Sequence, residues 1–185
     1  MKLIIVLIYC SLCLPNTTAS TLIPVPKIQP ENIKMEYVNY SNEDMRYLAL
    51  NIYHEGRGED LHGRMAIAFV VINRTFHRRF PDSIKEVVIQ PDQFSWYWDG
   101  KSDTPRDKPI WDAAKDTAKL CLELYNTGAR VSHYDPLEDS PDWIVDGALF
   151  YYASSGPNKI KEPYWIAAEN MTETVKLGHH SFFKL

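Results

Sequence analysis

Cysteine is scarce in this chain. Two of its three cysteines, Cys10 and Cys13, lie in an apolar N-terminal run that reads as a leader, so Cys121 alone remains afterwards. That excludes an intramolecular disulfide and leaves stability to the core. Several chemistries lack their signatures. There is no Gly-rich phosphate loop, no GxSxG elbow and no CxxC. His54 and Glu55 begin like the zinc-protease HExxH, but Gly58 stands where the second ligand is needed. Charge of one sign is also missing. A net charge of −4 with both signs interspersed disfavours an electrostatic grip on nucleic acid or an anionic membrane. No repeat and no low-complexity tract is visible.

The apolar run from Leu3 to Leu14 follows Lys2 and gives way to small polar residues, the pattern of a signal peptide over residues 1–19. Cleavage after Ala19 is expected, with Thr17 as the other small residue. The run is shorter than the roughly 20 residues that span a bilayer, so no stable membrane insertion is expected after cleavage. Tyr9 and Leu12 precede the two cysteines, which disfavours a lipid-modified cysteine. Residues 20–40 carry Pro24, Pro26 and Pro30 and read as an extended linker or surface strap. Residues 41–185 then form one domain, long enough to bury a core of its own.

The most informative stretch is Ser41 to Glu59. Ser41 is a candidate N-cap with Asp44 three residues on, and Met45, Leu48, Ala49 and Ile52 share one helix face. Glu55 follows close to that stripe, and Gly56 and Gly58 end the helix. Burial and the negative end of the helix dipole both push such a carboxyl toward its protonated form, which is what a general acid requires. The plain alternative is an ion pair with Arg57 or Arg74.

A second helix spans Asp60 to Phe76, apolar on most sides, with Asn73 and Arg74 near its end in capping, solvated roles. Ser83 caps a short helix, IKEVVIQ. Gln90, Gln93, Ser95, Trp96, Tyr97 and Trp98 then mix hydrogen-bonding groups with broad rings in a loop, a composition suited to a sugar-lined cleft. Phe94 and Trp96 also suit a core. Pro109 opens a third long helix with Ile110, Ala114, Ala118, Cys121 and Tyr125 as its packing stripe. From Arg130 to Val145 the chain reads as an acidic, loop-like flap, Ala148 to Ala153 as a buried strand, and Glu173 to Phe183 as a closing strand pair or a strand and turn. His179 and His180 would point to opposite faces of a strand and so would not chelate together. A site built from His133, one of these histidines and an Asp stays open.

The run YHEGRGEDLHGRMAIAFVVINRTFHRRFPDSIKEVVIQPDQFSWYWDG, with GALFYY and the terminal KLGHHSFFK, resembles the SleB-like cell-wall hydrolase family of spore cortex-lytic enzymes. The likeness spans Asn51 to Lys184. It implies an α+β fold, a mostly helical lysozyme-like domain with a small sheet, that cleaves peptidoglycan glycan strands between N-acetylmuramic acid and N-acetylglucosamine. By position, Glu55 matches the family's catalytic glutamate, and Arg57, Gly58 and Glu59 complete its motif. Gly56 departs from the family's small Ala or Ser and is expected to loosen the acid's placement. His54 is a second departure, expected to tune the charge on Glu55.

A lytic transglycosylase needs one carboxylate, whereas an ordinary glycosidase needs two. The alternative is therefore hydrolysis with Glu59, Asp99, Asp103 or Asp142 as the second. Substrate contacts expected besides Arg57 and Glu59 are Gln93, Ser95, Tyr151, Tyr152 and Trp165. Neither metal nor cofactor is expected. A monomer exported to the periplasm or cell wall, acting in remodelling or in phage lysis, completes the expectation. A non-catalytic peptidoglycan-binding domain and a metal-dependent amidase are the readings from other classes.

Overall fold

The computed structural model describes residues 40–126 and 144–185. The signal peptide, nearly all of the strap, His133 and Asp142 lie outside the described residues. So does most of the expected flap; its last two residues, Ile144 and Val145, lie at a turn with their side chains buried in the core.

Helix α1 runs Asn42–Glu55, and its N-terminus carries the expected capping box: Asp44 N–H donates to Ser41 Oγ at 3.0 Å, and Ser41 N–H donates to Asp44 Oδ2 at 3.0 Å. Helix α2 (Leu61–Thr75) is capped by Asp60 and buried from Met65 to Arg74, as its nearly continuous apolar sequence demands. The short α3 (Ile84–Ile89) is capped by Ser83, while α5 (Lys108–Asn126) carries Pro109 in its first turn. Between them, Ser95–Trp98 forms a single helical turn, α4, where a loop was expected. Phe94 and Trp96 anchor it in the core and leave Ser95 and Trp98 exposed. Helix α1 packs against α5 and α3, and α2 against α5. Cys121 is fully buried in α5, and burial pushes its thiol far above the usual range, so it is inert.

The sheet has three antiparallel strands in the order β1-β3-β2, from β1 (Phe150–Ala153), β2 (Thr172–Leu177) and β3 (His180–Lys184). The closing strand pair is thus present, with β3 central and buried from His180 to Phe183. β1 is an edge strand and only half-buried, because it forms a wall of the cleft described below. A helical turn, α6 (Trp165–Ala168), lies between β1 and β2. Leu177 pairs with His180, so Gly178 and His179 form a two-residue hairpin loop. Gly178 has φ +55°, the left-handed first position that a type II′ turn requires. The architecture is α+β.

Candidate active site

A cleft of about 930 Å³ opens between the end of α1, the α4 turn and the β1 edge. Glu55, Arg57, Glu59, Gln93, Ser95, Tyr151, Tyr152 and Trp165 all line it. Residues spread over more than a hundred positions of sequence therefore share one wall system. The α1 stripe Leu48, Ala49 and Ile52 is buried, which fixes the helix so that Glu55 meets the cleft at its last turn.

Glu55 makes no ion pair among the described residues. Burial raises its carboxyl to about pKa 7, opposed by the nearby Tyr151 hydroxyl and by the charge of Arg74. Arg57 lies outside this balance: it is exposed at the rim, with its guanidinium 5.6 Å from the centre of the Tyr53 ring. His54 does not act on Glu55 either. Its ring stacks on Trp96 at 4.5 Å and 12°, with Nε2 3.3 Å from the Asp103 carbonyl oxygen. Gly56, expected to loosen the acid, is buried and tightly packed. An added Cβ would lie 2.9 Å from the Ile52 carbonyl oxygen and 3.1 Å from Arg64 Cγ, so Gly56 permits a close approach to α2.

Arg74 was expected in solvent and is only 4% exposed. Its Nε donates to the Leu149 carbonyl at 2.7 Å, and the guanidinium lies 4.8, 5.3 and 5.4 Å from the Phe80, Phe94 and Phe150 ring centres. Asn73 is buried too and donates to the Ala148 carbonyl at 3.1 Å. Both side chains thereby tie α2 to the segment entering β1. A buried Arg is legible in hindsight: it follows Val70 and Val71 at helical spacing on a helix buried nearly all round. Asn51 was missed for the same reason. Its Oδ1 accepts the Trp96 indole N–H at 3.0 Å, while its buried Nδ2 has no well-aligned partner. The Tyr151 hydroxyl and Arg74 Nη1 are likewise buried without a well-aligned bond. Asn51 and Glu55 both lie within interaction range of that hydroxyl, and burial raises its own pKa far above normal.

Glu59 is clamped. Its side chain is 4% exposed, and its carboxylate accepts the His179 backbone N–H at 3.2 Å and the His179 ring Nδ1–H at 3.0 Å. His180 Nδ1 lies 3.2 Å from the same Oε1. The two histidines thus converge instead of pointing apart, because His179 sits in the hairpin turn and not on the strand. Burial depresses the His180 pKa against the pull of Glu59. No group of three His, Cys, Asp or Glu side chains among the described residues is arranged to hold a metal ion. Of the other carboxylates, Asp99 lines the cleft and is held below its usual pKa by a 3.0 Å pair with Lys101, while Asp103 does not line it.

Residues 58–183 match the family model described as Cell Wall Hydrolase. The chain belongs to this cell wall hydrolase family. The matched span begins three residues after Glu55, so the acid lies just outside it. The spore cortex-lytic enzyme of Bacillus subtilis is 29% identical over 143 residues, covering 77% of this chain and 38% of that protein. That of Halalkalibacterium halodurans is 37% identical over 110 residues, covering 57% of this chain and 31% of that protein. The chain thus spans under two fifths of the length of these relatives. Among solved structures, the catalytic domain of the Bacillus cereus SleB protein superposes with a TM-score of 0.55 at 26% identity, covering 78% of this chain and 92% of that one. The catalytic domain of the germination-specific lytic transglycosylase SleB from Bacillus anthracis gives a TM-score of 0.55 at 25% identity, covering 79% and 98%.

Proposed function

We propose that the protein cleaves peptidoglycan glycan strands between N-acetylmuramic acid and N-acetylglucosamine as a lytic transglycosylase, with Glu55 as acid and then base. The observation that carries this is a carboxyl raised to about pKa 7, without an ion pair among the described residues, on the wall of a cleft large enough for several sugars. A proton passes from Glu55 to the glycosidic oxygen as the C–O bond breaks and an oxocarbenium-like state forms. The Glu55 carboxylate then takes the proton of the muramic C6 hydroxyl, whose oxygen closes on C1 to give a 1,6-anhydro sugar. Tyr151 and Arg74 stabilise the carboxylate between these two steps. Trp165, Tyr152, Gln93 and Ser95 bind the sugars through ring faces and polar groups. Arg57 contacts the strand from the rim, and Glu59 holds the hairpin that carries His179.

Two relatives support the setting: the B. anthracis domain is a germination-specific lytic transglycosylase, and the B. subtilis relative is a spore cortex-lytic enzyme. Action outside the cytoplasm follows from such a substrate and agrees with the signal-like N-terminus. No helix among the described residues is long and apolar enough to cross a membrane. Asp99 in the same cleft favours a second reading, hydrolysis with that carboxylate placing a water. The test is release of soluble fragments from purified peptidoglycan by the wild type and by Glu55→Gln, each with and without a chelator. Release that is lost in the variant and insensitive to chelation is expected. Binding without release by the wild type would make it a binding module, and loss on chelation would point to an amidase.

A further inference from the structure

A second cleft, of about 540 Å³, adjoins the first, and Tyr152 and Ile160 belong to the walls of both. Its charge runs against that of the molecule. In a chain of net charge −4, its lining holds Lys159, Lys161 and Lys176 against one acid, Glu162. Lys159 and Lys161 form no ion pair among the described residues. Lys176 reaches Glu173 only at 3.4 Å and is 68% exposed. The ammonium groups of Lys159 and Lys161 are thus unpaired among the described residues, and that of Lys176 is held only by an exposed pair.

The backbone under this cleft is fixed. Ser154 and Ser155 N–H groups donate to the His179 carbonyl at 2.9 and 3.1 Å, and Ile160 N–H donates to the Ala153 carbonyl at 3.0 Å. The shared wall is fixed as well, since Tyr152 stacks on Phe183 at 5.8 Å and 25°. Hydrogen-bonded backbone thus carries Lys159 and Lys161 past a ring that lines the main cleft.

We propose that this second cleft binds the carboxylates of the peptide stem borne by muramic acid while the glycan strand lies in the main cleft. The inference rests on the peptidoglycan reading above. A muramic residue carries its peptide on a lactyl group that projects from the sugar, and the stem bears several free carboxylates. A strand running past Tyr152 would direct such a substituent over the shared wall and toward the lysines. Exposed pairs of this kind each contribute modestly, so together they give about a tenfold preference for peptide-bearing strands, weakened by salt.

The experiment uses soluble glycan strands in two forms, with intact stems and after amidase removal of the stems, which leaves the lactyl carboxylate. Cleavage is measured with the wild type and Lys159→Glu/Lys161→Glu. Binding is measured in Glu55→Gln with and without the same two changes. The expected result is about a tenfold loss of both binding and kcat/KM on peptide-bearing strands, with little change on peptide-free ones. Equal losses on both substrates would assign the lysines to the lactyl carboxylate or to unspecific attraction and overturn the proposal, as would no loss on either. If the two lysine changes abolished binding of a wall teichoic acid but left binding of peptide-bearing strands intact, a phosphodiester polymer would be the ligand instead. Failure of the wild type to cleave either substrate would refute the enzymatic reading, while the binding arm still decides the stem.

Discussion

Both carboxylate oxygens of Glu59 lie 3.2 Å from the His179 backbone nitrogen, and Oε1 lies 3.0 Å from that residue's Nδ1. One buried side chain thus joins the end of the α1 loop to the β2–β3 turn across 120 positions of sequence. Arg64 secures the other side, donating from Nη1 to the Glu59 carbonyl at 2.8 Å. Glu59→Gln is expected to cost about 2 kcal/mol of stability, since it leaves the imidazole and backbone donors poorly matched. Thermal unfolding checks this. A fully stable variant without activity would instead make Glu59 the second carboxylate of a hydrolase.

Gly178 is constrained twice. Its φ of +55° disfavours a side chain, and an added Cβ would lie 1.7 Å from Glu59 Oε2. Gly178→Ala is expected to destabilise by more than 1 kcal/mol, on the order of the cost of a strained left-handed residue. Denaturant unfolding would show the loss, and Glu59→Ala in the same background should recover part of it.

Glu55 is expected to cost stability in the state where it works as a base. Its pKa rises from 4.5 to about 7 on folding, so between those values the folded protein binds more protons than the unfolded chain. Stability therefore falls as pH rises through this window, by up to about 3 kcal/mol, and stays reduced above it. Glu55→Gln removes the effect. The variant should be more stable than the wild type at pH 8 and little different at pH 4, as measured by denaturant midpoints.

Activity should titrate with the same group. Glu55 must be protonated to donate a proton to the glycosidic oxygen, so kcat/KM is expected to fall as pH rises above about 7. The nearby Tyr151 hydroxyl and the charge of Arg74 both lower that pKa. Tyr151→Phe and Arg74→Met should each move the falling limb to higher pH. A pH–rate profile in which neither variant shifts the limb would remove both groups from the environment of the acid.

The helices were legible in the sequence because their signals are local. Ser41 with Asp44, Asp60, Ser83 and Pro109 mark starts that the structure reproduces. Glu55, Gln93, Ser95, Tyr151, Tyr152 and Trp165 of the cleft lining were legible through motif likeness and through the mixture of rings and amides around Gln93, whereas Asn158, Ile160 and His180 were not. Arg74 and Asn51 were not, because a charged or amide side chain on a helix reads as solvated until its neighbours are known. The approach of His179 and His180 to Glu59 depends on a turn placed by β2 and β3, a long-range event with no local pattern. His54 shows the opposite failure, where proximity in sequence suggested an influence on Glu55 that its stacking on Trp96 directs elsewhere.

The most direct test of the central claim is mass spectrometry of the fragments released from purified peptidoglycan, with Glu55→Gln as control. One-carboxylate chemistry predicts muropeptides lighter than hydrolysis products by one water, ending in 1,6-anhydro sugars and absent from the control. Fragments that carry reducing ends and vanish in the control would contradict it, and would require a second carboxylate in the cleft.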